Sequence, residues 1–212
     1  GIVEKKIASN LEKSYPSRQQ HFTPGSCGIV ENVEPICNLK SFSLILTIWP
    51  TTPNRGVQAL LAHQDLVGSR GFSFHIDENG KLAAWLGSGD IEQTIALDVP
   101  LRERTWYRVL LVYDHINNIV SLGQHPILTY LWKEAVNLSV TATGFLPAGT
   151  ENPFSIAARI DSLRERTAYY NGKIEAPTVV AKAVNLEKIA TPSILLDQQQ
   201  LVAQWDFSQE IP

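Results

Sequence analysis

Histidine is the residue of this sequence that could take part in the most kinds of chemistry, because an imidazole can bind a metal or transfer a proton near neutral pH. His63 and His75 fall on neighbouring segments that alternate apolar and polar residues. They could face each other across a sheet, but no third residue stands at a metal-ligand spacing from them. The pattern therefore predicts polar positions on the solvent side of a sheet. The remaining histidines lie in predicted loops, where an imidazole is usually solvated: His21, His115 and His125.

Carboxylates could serve two kinds of site. Glycoside hydrolysis needs two of them on either side of a sugar bond, whereas Asp77 and Glu78 are adjacent at a predicted turn and point to different sides. Calcium needs several converging oxygens, and the candidates are Asp161, Glu165 and Glu175. Three arginines lie near these candidates and favour surface ion pairs over a calcium site: Arg159, Arg164 and Arg166.

Three short motifs look like functional sites only in part. GFSFH (71–75) lacks the Gly-x-Ser-x-Gly pattern of a nucleophile elbow, and it places Ser73 inside a strand. GSGD (87–90) has the glycines of a phosphate-binding loop without the following Lys-Ser/Thr and helix, so it predicts a hairpin turn. Asn137 begins a formal glycosylation sequon, which we expect to be unused.

Cysteine and tryptophan give weaker indications. Cys27 and Cys37 are ten positions apart, and without a secretory signal free thiols are favoured over a small disulfide loop. Two cysteines alone cannot form a zinc site in which all four ligands are cysteine thiolates. Three tryptophans stand in apolar strands or at strand starts, which predicts core packing: Trp49, Trp106 and Trp205. The other two are more open to an interface role: Trp85 and Trp132.

Composition excludes several classes of protein. The 212 residues are 44% hydrophobic and 18% charged, which suits one folded domain with a sizeable core. The net charge of −3 comes without a cluster of lysine and arginine, so we expect no nucleic-acid partner. The apolar runs are shorter than the ~20 residues of a membrane-spanning helix. We therefore expect no membrane partner and a cytoplasmic location.

Short strands separated by turns dominate the pattern. The clearest are FSLILTIWP (42–50), GFSFHID (71–77), KLAAWLG (81–87) and TWYRVLLVYD (105–114). The Asn79-Gly80 step between the second and third of these predicts a tight hairpin. Regular strands with few helical segments indicate an all-β antiparallel sandwich in residues 21–212. Residues 1–20 read as a partly helical extension, and LEKIAT (186–191) as a short helix.

The order of these segments resembles the concanavalin A-like, laminin-G-like jelly-roll domains. FSIAAR and YYNGKIEAP are similar to the closing strands of that family. The β-glucanases of this fold carry an E-x-D-x-x-E strand that is missing here, and many of its other members bind calcium and a carbohydrate.

A closer resemblance covers nearly the whole chain. EKKIASNLEKSYPSR, WPTTPNRG, YYNGKIEAP and LVAQWDFS resemble the N-terminal, laminin-G-like region of the large (beta) subunit of bacterial N,N-dimethylformamidases. That family implies an iron-dependent amide hydrolase whose iron is held by tyrosine and glutamate in another part of the subunit. No catalytic, cofactor-binding or metal residue is therefore assigned in this chain.

The sequence thus predicts a fragment of a longer subunit that serves assembly, with that subunit's remainder, a small subunit or further copies as partners. The alternative is a free-standing, calcium-dependent carbohydrate- or ligand-binding module. A long continuation after Pro212 would favour the first, and a secretion signal the second.

Overall fold

The alternating apolar positions of the sequence build two antiparallel sheets. A computed structural model describes residues 25–30, 34–37, 39–127, 135–142, 147, 149–160, 164–189 and 200–207. The first sheet has six strands, in the spatial order β1 (Gly28–Val30), β10 (Phe154–Ile156), β3 (Gln58–Asp65), β4 (Arg70–Ile76), β5 (Lys81–Ser88) and β6 (Glu92–Pro100). The second also has six, in the order β14 (Leu201–Gln204), β13 (Gly172–Val180), β2 (Phe42–Pro50), β7 (Tyr107–Asp114), β8 (Ile119–Pro126) and β9 (Val136–Thr141).

Smaller elements complete the described part of the chain. A two-stranded ribbon joins β11 (Arg159–Ile160) to β12 (Arg166–Thr167). Two helices of four residues each occur, α1 (Glu34–Cys37) and α2 (Leu186–Ile189). The Asn185 side chain caps α2, because its Oδ1 accepts a hydrogen bond from the Glu187 amide at 2.8 Å. None of the helices in the described residues is long and apolar enough to cross a membrane.

One hydrophobic core lies between the two sheets. Strands β2, β4 and β7 each contribute every second side chain to it, as the period of a half-buried strand requires. Aromatic rings connect the sheets: Phe42 of β2 lies 5.1 Å from Phe72 of β4 between ring centroids. Trp205 stacks on Phe154 at 5.6 Å and is 2% exposed, which confirms the predicted core position of Trp205. Each large side chain buried in this way stabilises the fold by roughly 1.5–3 kcal/mol.

Most predicted strands are confirmed. FSLILTIWP forms β2 with the predicted bounds, and the segments 71–77, 81–87 and 105–114 differ from their strands by one or two residues at the ends. The Asn79-Gly80 hairpin is present between β4 and β5, with Gly80 at a φ of 76°. The Asp77 carboxylate holds this turn, because its Oδ1 accepts hydrogen bonds from the amides of Asn79 and Lys81 at 2.8 Å each.

Some elements differ from the prediction. The segment FSIAARI was expected to be one strand, but it breaks into β10 and β11 at Ala157, whose φ is 65°. Strands β1, β9 and β12 were not predicted. The short helix expected after Leu186 is confirmed as α2. The helix expected within residues 1–20 lies outside the described residues, as does Trp132.

Candidate functional site

His63 lies on the inner face of the first sheet, so its predicted position on a wet surface is wrong. It is 1% exposed and pairs with Phe72 of β4, with 6.0 Å between the ring centroids. The register of β3 shifts between Ala59 and Leu61, and this irregularity changes which face the following residues occupy. Burial lowers the pKa of His63 to about 4, and a hydrogen bond to the backbone of Asn152 opposes this only in part.

His75 lies on the opposite face of the same sheet and is also buried, at 8% exposure. Its Nδ1 is 3.2 Å from the Ser73 hydroxyl. Burial lowers the pKa of His75 to about 4, and the positive charge of Arg159 in β11 adds to this effect. The expected wet face is wrong here because this side of the strand is covered. His63 and His75 share no site, since they project from opposite faces.

The two other histidines of the described residues, His115 and His125, form no common centre with His63 and His75. His115 is exposed in the β7–β8 turn, as predicted. His125 belongs to β8 instead of a loop, is 4% exposed, and places Nε2 at 2.6 Å from the Asn137 Oδ1. His21 lies outside the described residues. In the part of the chain that the structure describes, no group of three His, Cys, Asp or Glu side chains could hold a metal ion.

Trp85 is buried against the outer face of the first sheet, in contrast to the predicted interface role. It is 9% exposed, and its ring occupies the space beside Gly87, where a Cβ would meet the Trp85 Cη2 at 2.7 Å. The Trp85 indole N–H donates a hydrogen bond to the Glu92 carboxylate at 3.0 Å. The Ser69 hydroxyl donates to the same carboxylate. Glu92 therefore ties the β3–β4 turn to the indole on β5.

We expect Glu92→Gln to make a small, pH-dependent loss of stability. The two hydrogen bonds, from Ser69 and then Trp85, lower the pKa of Glu92. A carboxyl with a lowered folded pKa stabilises the fold above its unfolded pKa, and this contribution is lost as pH falls through the folded pKa. Thermal melts at pH 7 should show a lower midpoint for the variant, and the gap should close in acid. Glu78→Gln, in an exposed turn at the other end of β5, is the control.

The predicted core positions of Trp49 and Trp106 are wrong, because both are half-buried on the outer face of the second sheet. Their ring centroids are 6.5 Å apart, and Lys173 Nζ lies 5.1 Å from the centroid of Trp49. The alternation of β2 could have shown this, since Ile48 and every second residue before it face the core. Two adjacent indoles with a cation above one of them suit contact with a protein or a sugar ring.

Among the described residues, the two calcium candidates lie in different segments, and the short motifs lie in strands and a turn. Glu175 is exposed in β13 opposite Thr47, and Glu165 is exposed before β12. Asp161 lies outside the described residues. Ser73 is fully buried inside β4, as expected for a strand residue, and GSGD spans the β5–β6 turn as predicted. Asn137 is exposed in β9, and Cys27 is 3% exposed.

The buried tyrosines are core residues, with exposures of 1–6% between the two sheets: Tyr107, Tyr113 and Tyr170. Burial raises the pKa of all three phenols. Within the described residues, no group of three His, Cys, Asp or Glu side chains could hold an iron ion. The Tyr107 hydroxyl also accepts a hydrogen bond from the Arg102 amide at 3.1 Å. These residues therefore serve the core, and no step of an iron reaction is assigned to them.

Two curated proteins match nearly the whole chain. The N,N-dimethylformamidase beta subunit of Alcaligenes sp is 30% identical over 232 aligned residues, which include 98% of this chain and 29% of that subunit. The subunit of the same name from Paracoccus aminophilus is 29% identical, with the same shares covered. The chain thus spans less than a third of the length of these relatives. No family model matches the sequence.

Solved structures show the fold. The carbohydrate-binding CBM40 domain of the Ruminococcus gnavus IT-sialidase, bound to α2,3-sialyllactose, superposes with a TM-score of 0.62 at 15% identity, over 77% of this chain and 90% of that one. The LG1–3 region of the laminin α2 chain gives a TM-score of 0.53 at 10% identity, over 70% of this chain and 29% of that one. The chain is therefore a laminin-G-like β-sandwich homologous to one segment of the N,N-dimethylformamidase beta subunit.

Proposed function

We propose that this chain is a non-catalytic structural domain of an amidase-type large subunit, where it contacts the remainder of that subunit and neighbouring subunits. The observation that carries the proposal is the match itself, which includes 98% of this chain but only 29% of the subunit. Iron and amide hydrolysis would then belong to the remaining part. The proposal includes a cytoplasmic location.

The outer face of the second sheet offers a surface for such contact. One part of this face is already covered, because Leu186 of α2 packs with Ile45, Leu110 and Val112, and all four side chains are buried. The half-buried pair Trp49 and Trp106 lies further along the same face. Interfaces combine buried aromatic residues with a polar rim. This face therefore supports a domain that packs against protein.

The isolated 212-residue chain should hydrolyse no formamide, ester or β-glucan. The reason is that His63 and His75 are buried on opposite faces of one sheet, and that no group of three His, Cys, Asp or Glu side chains in the described residues could hold a metal ion. The measurement is turnover of dimethylformamide, with elemental analysis for iron and zinc on the same preparation. Turnover that survives purification and disappears on substituting one residue of this chain would overturn the non-catalytic role, as would stoichiometric iron.

The second candidate is a carbohydrate-binding module. It is favoured by the fold shared with the CBM40 domain and by the half-buried indoles of Trp49 and Trp106, which could stack on a sugar ring. Titration with sialyllactose, with and without calcium, tests it directly. Saturable binding that Trp49→Ala weakens and Trp85→Ala leaves intact would favour the module over the structural domain.

A further inference from the structure

Exposed apolar side chains are concentrated at one end of the sandwich. Seven large hydrophobic residues of the described part are exposed, and five of them lie in or beside three turns. These turns are the β3–β4, β5–β6 and β7–β8 connections, residues 65–70, 88–92 and 114–119. The five residues form what we call the apical patch: Leu66, Val67, Ile91, Ile116 and Ile119, exposed by 50%, 86%, 43%, 87% and 37%.

Contacts between the turns show that they lie at the same end. The Gly89 amide donates a hydrogen bond to the Ser69 carbonyl at 2.8 Å, which joins the β5–β6 turn to the β3–β4 turn. The Gln93 side chain, beside the β5–β6 turn, donates to the Thr141 carbonyl at 3.0 Å and so joins the two sheets. Thr141 pairs with Ile119 at the start of β8. The patch therefore spans both sheets.

Two turns hold their most exposed residue by the same device. The Asp65 carboxylate accepts a hydrogen bond from the Val67 amide at 3.0 Å. In the other sheet, the Asp114 carboxylate accepts one from the Ile116 amide, also at 3.0 Å. The Asn117 side chain donates to Asp114 at 2.7 Å as well. Each β-branched side chain thus extends into solvent from a turn that its own aspartate fixes.

The β4–β5 turn, at the opposite end of the sandwich, shows that an aspartate can fix a turn in this way without an exposed apolar residue. There the Asp77 carboxylate accepts a hydrogen bond from the amide two residues on in the same way, at 2.8 Å, but that residue is Asn79. Exposed valine and isoleucine lose the free energy that burial would give them. The apolar side chains at the apical end do not stabilise the turns that carry them, because a polar residue serves equally well at position 79. Their exposure therefore points to contact with another surface.

The charges around the patch indicate what that surface carries. The three turns contain four carboxylates and one arginine: Asp65, Asp90, Glu92, Asp114 and Arg70. An anionic rim disfavours a membrane of acidic lipids and favours a protein with basic side chains. Relatives extend to more than three times the aligned segment, since it is 29% of their length, so such a protein surface would be available within one subunit.

We propose that the apical patch docks this domain onto the rest of its subunit, at an apolar hollow bordered by lysine or arginine. The proposal rests on the structural role proposed above. It adds the surface and the chemistry of the partner. The hollow would exclude water from the side chains of Val67 and Ile116. The surrounding carboxylates would pair with its basic side chains and fix the orientation of the domain on its partner.

Cysteine labelling in two settings tests this surface. The variants Val67→Cys, Ile116→Cys and the control Asn79→Cys are made both in the 212-residue chain and in the full-length subunit. Maleimide labelling is followed by peptide mass spectrometry, so that Cys27 and Cys37 are counted separately. We expect the two apical cysteines to label about tenfold more slowly in the full-length subunit. The cysteine at position 79 should label equally in both.

The other outcomes separate this proposal from the structural role. Protection at position 79 with none at the apical positions would overturn the docking surface and leave the structural role in place. Equal labelling of all three sites in both settings would overturn both. Protection already present in the short chain, rising with its concentration, would assign the patch to a second copy and overturn the proposal. Protection of the short chain by phosphatidylcholine vesicles would overturn it in favour of lipid.

Discussion

The protein should lose a large part of its stability between pH 6.5 and pH 4, because two buried histidines must take up protons in that range. Burial lowers the pKa of both His63 and His75 from 6.5 to about 4. Between these values the unfolded chain binds more protons, so stability is fully present above pH 6.5 and falls towards pH 4. Each site contributes roughly 3 kcal/mol over the whole range. Together they approach the total stability of an ordinary domain, about 5–15 kcal/mol.

Substitution of each histidine by glutamine isolates its contribution. His63→Gln and His75→Gln should each lower stability at pH 7. Each should also reduce the slope of unfolding free energy against pH, because one proton fewer is taken up on unfolding. His115→Gln, at an exposed turn position, controls for the loss of an imidazole. The measurement is urea denaturation at intervals from pH 7.5 to pH 4.5. An unchanged slope in the double variant would contradict the buried, neutral state of these side chains.

Gly71→Ala should be among the most destabilising single substitutions in the chain. Gly71 has a φ of 94°, which costs an L-residue about 1–2 kcal/mol. A Cβ there would also lie 2.0 Å from the His63 carbonyl oxygen of the neighbouring strand. Strands β3 and β4 would have to separate where they pair at Gln64 and Gly71. We therefore expect a loss of about 3 kcal/mol or more.

Gly89→Ala separates the two causes of that loss. Gly89 has a φ of 102°, but the atom closest to a Cβ there is the Arg70 side-chain Nε at 3.4 Å. This variant should show the backbone cost alone, about 1 kcal/mol. Chemical denaturation of both variants gives the comparison. If both variants lost the same free energy of unfolding, the close approach of β3 to Gly71 would contribute nothing to the cost of the substitution.

The fold was largely predictable because its central strands carry strong local signals. Phe42 to Pro50 combines β-branched and apolar residues with a terminal proline, and its bounds match β2. Strand β9 was missed although Val136, Leu138 and Val140 alternate with polar residues. Strands β1 and β12, of three and two residues, are too short to give a periodic signal.

The faces of the strands were harder to predict than the strands themselves. Alternation in β4 separates Phe72 and Phe74 from Ser73 and His75, but it cannot show whether the second set meets water. That face is covered, and His75 lies close enough to Arg159 of β11 for the charge of Arg159 to lower its pKa. Arg159 is 84 positions away in the sequence, so no local pattern contains this contact.

Long-range contacts of the same kind decide where each tryptophan lies. Trp85 is buried because the Ser69 turn and Glu92 close over it. Trp49 is half-exposed because it follows Ile48, which faces the core, and successive side chains of a strand point to opposite faces. This alternation in β2 can be read from the sequence. The wrong core position predicted for Trp49 was therefore avoidable, whereas the burial of Trp85 depends on tertiary contacts that no local pattern contains.

Deletion of this domain from the full-length subunit tests the central claim, that it serves assembly and not chemistry. Sedimentation velocity gives the assembly state, and turnover per subunit gives the chemistry in the same preparation. We expect a reduced or altered assembly, with turnover per subunit affected only through that change. Normal assembly and unchanged turnover after deletion, together with tight glycan binding by the isolated chain, would contradict it.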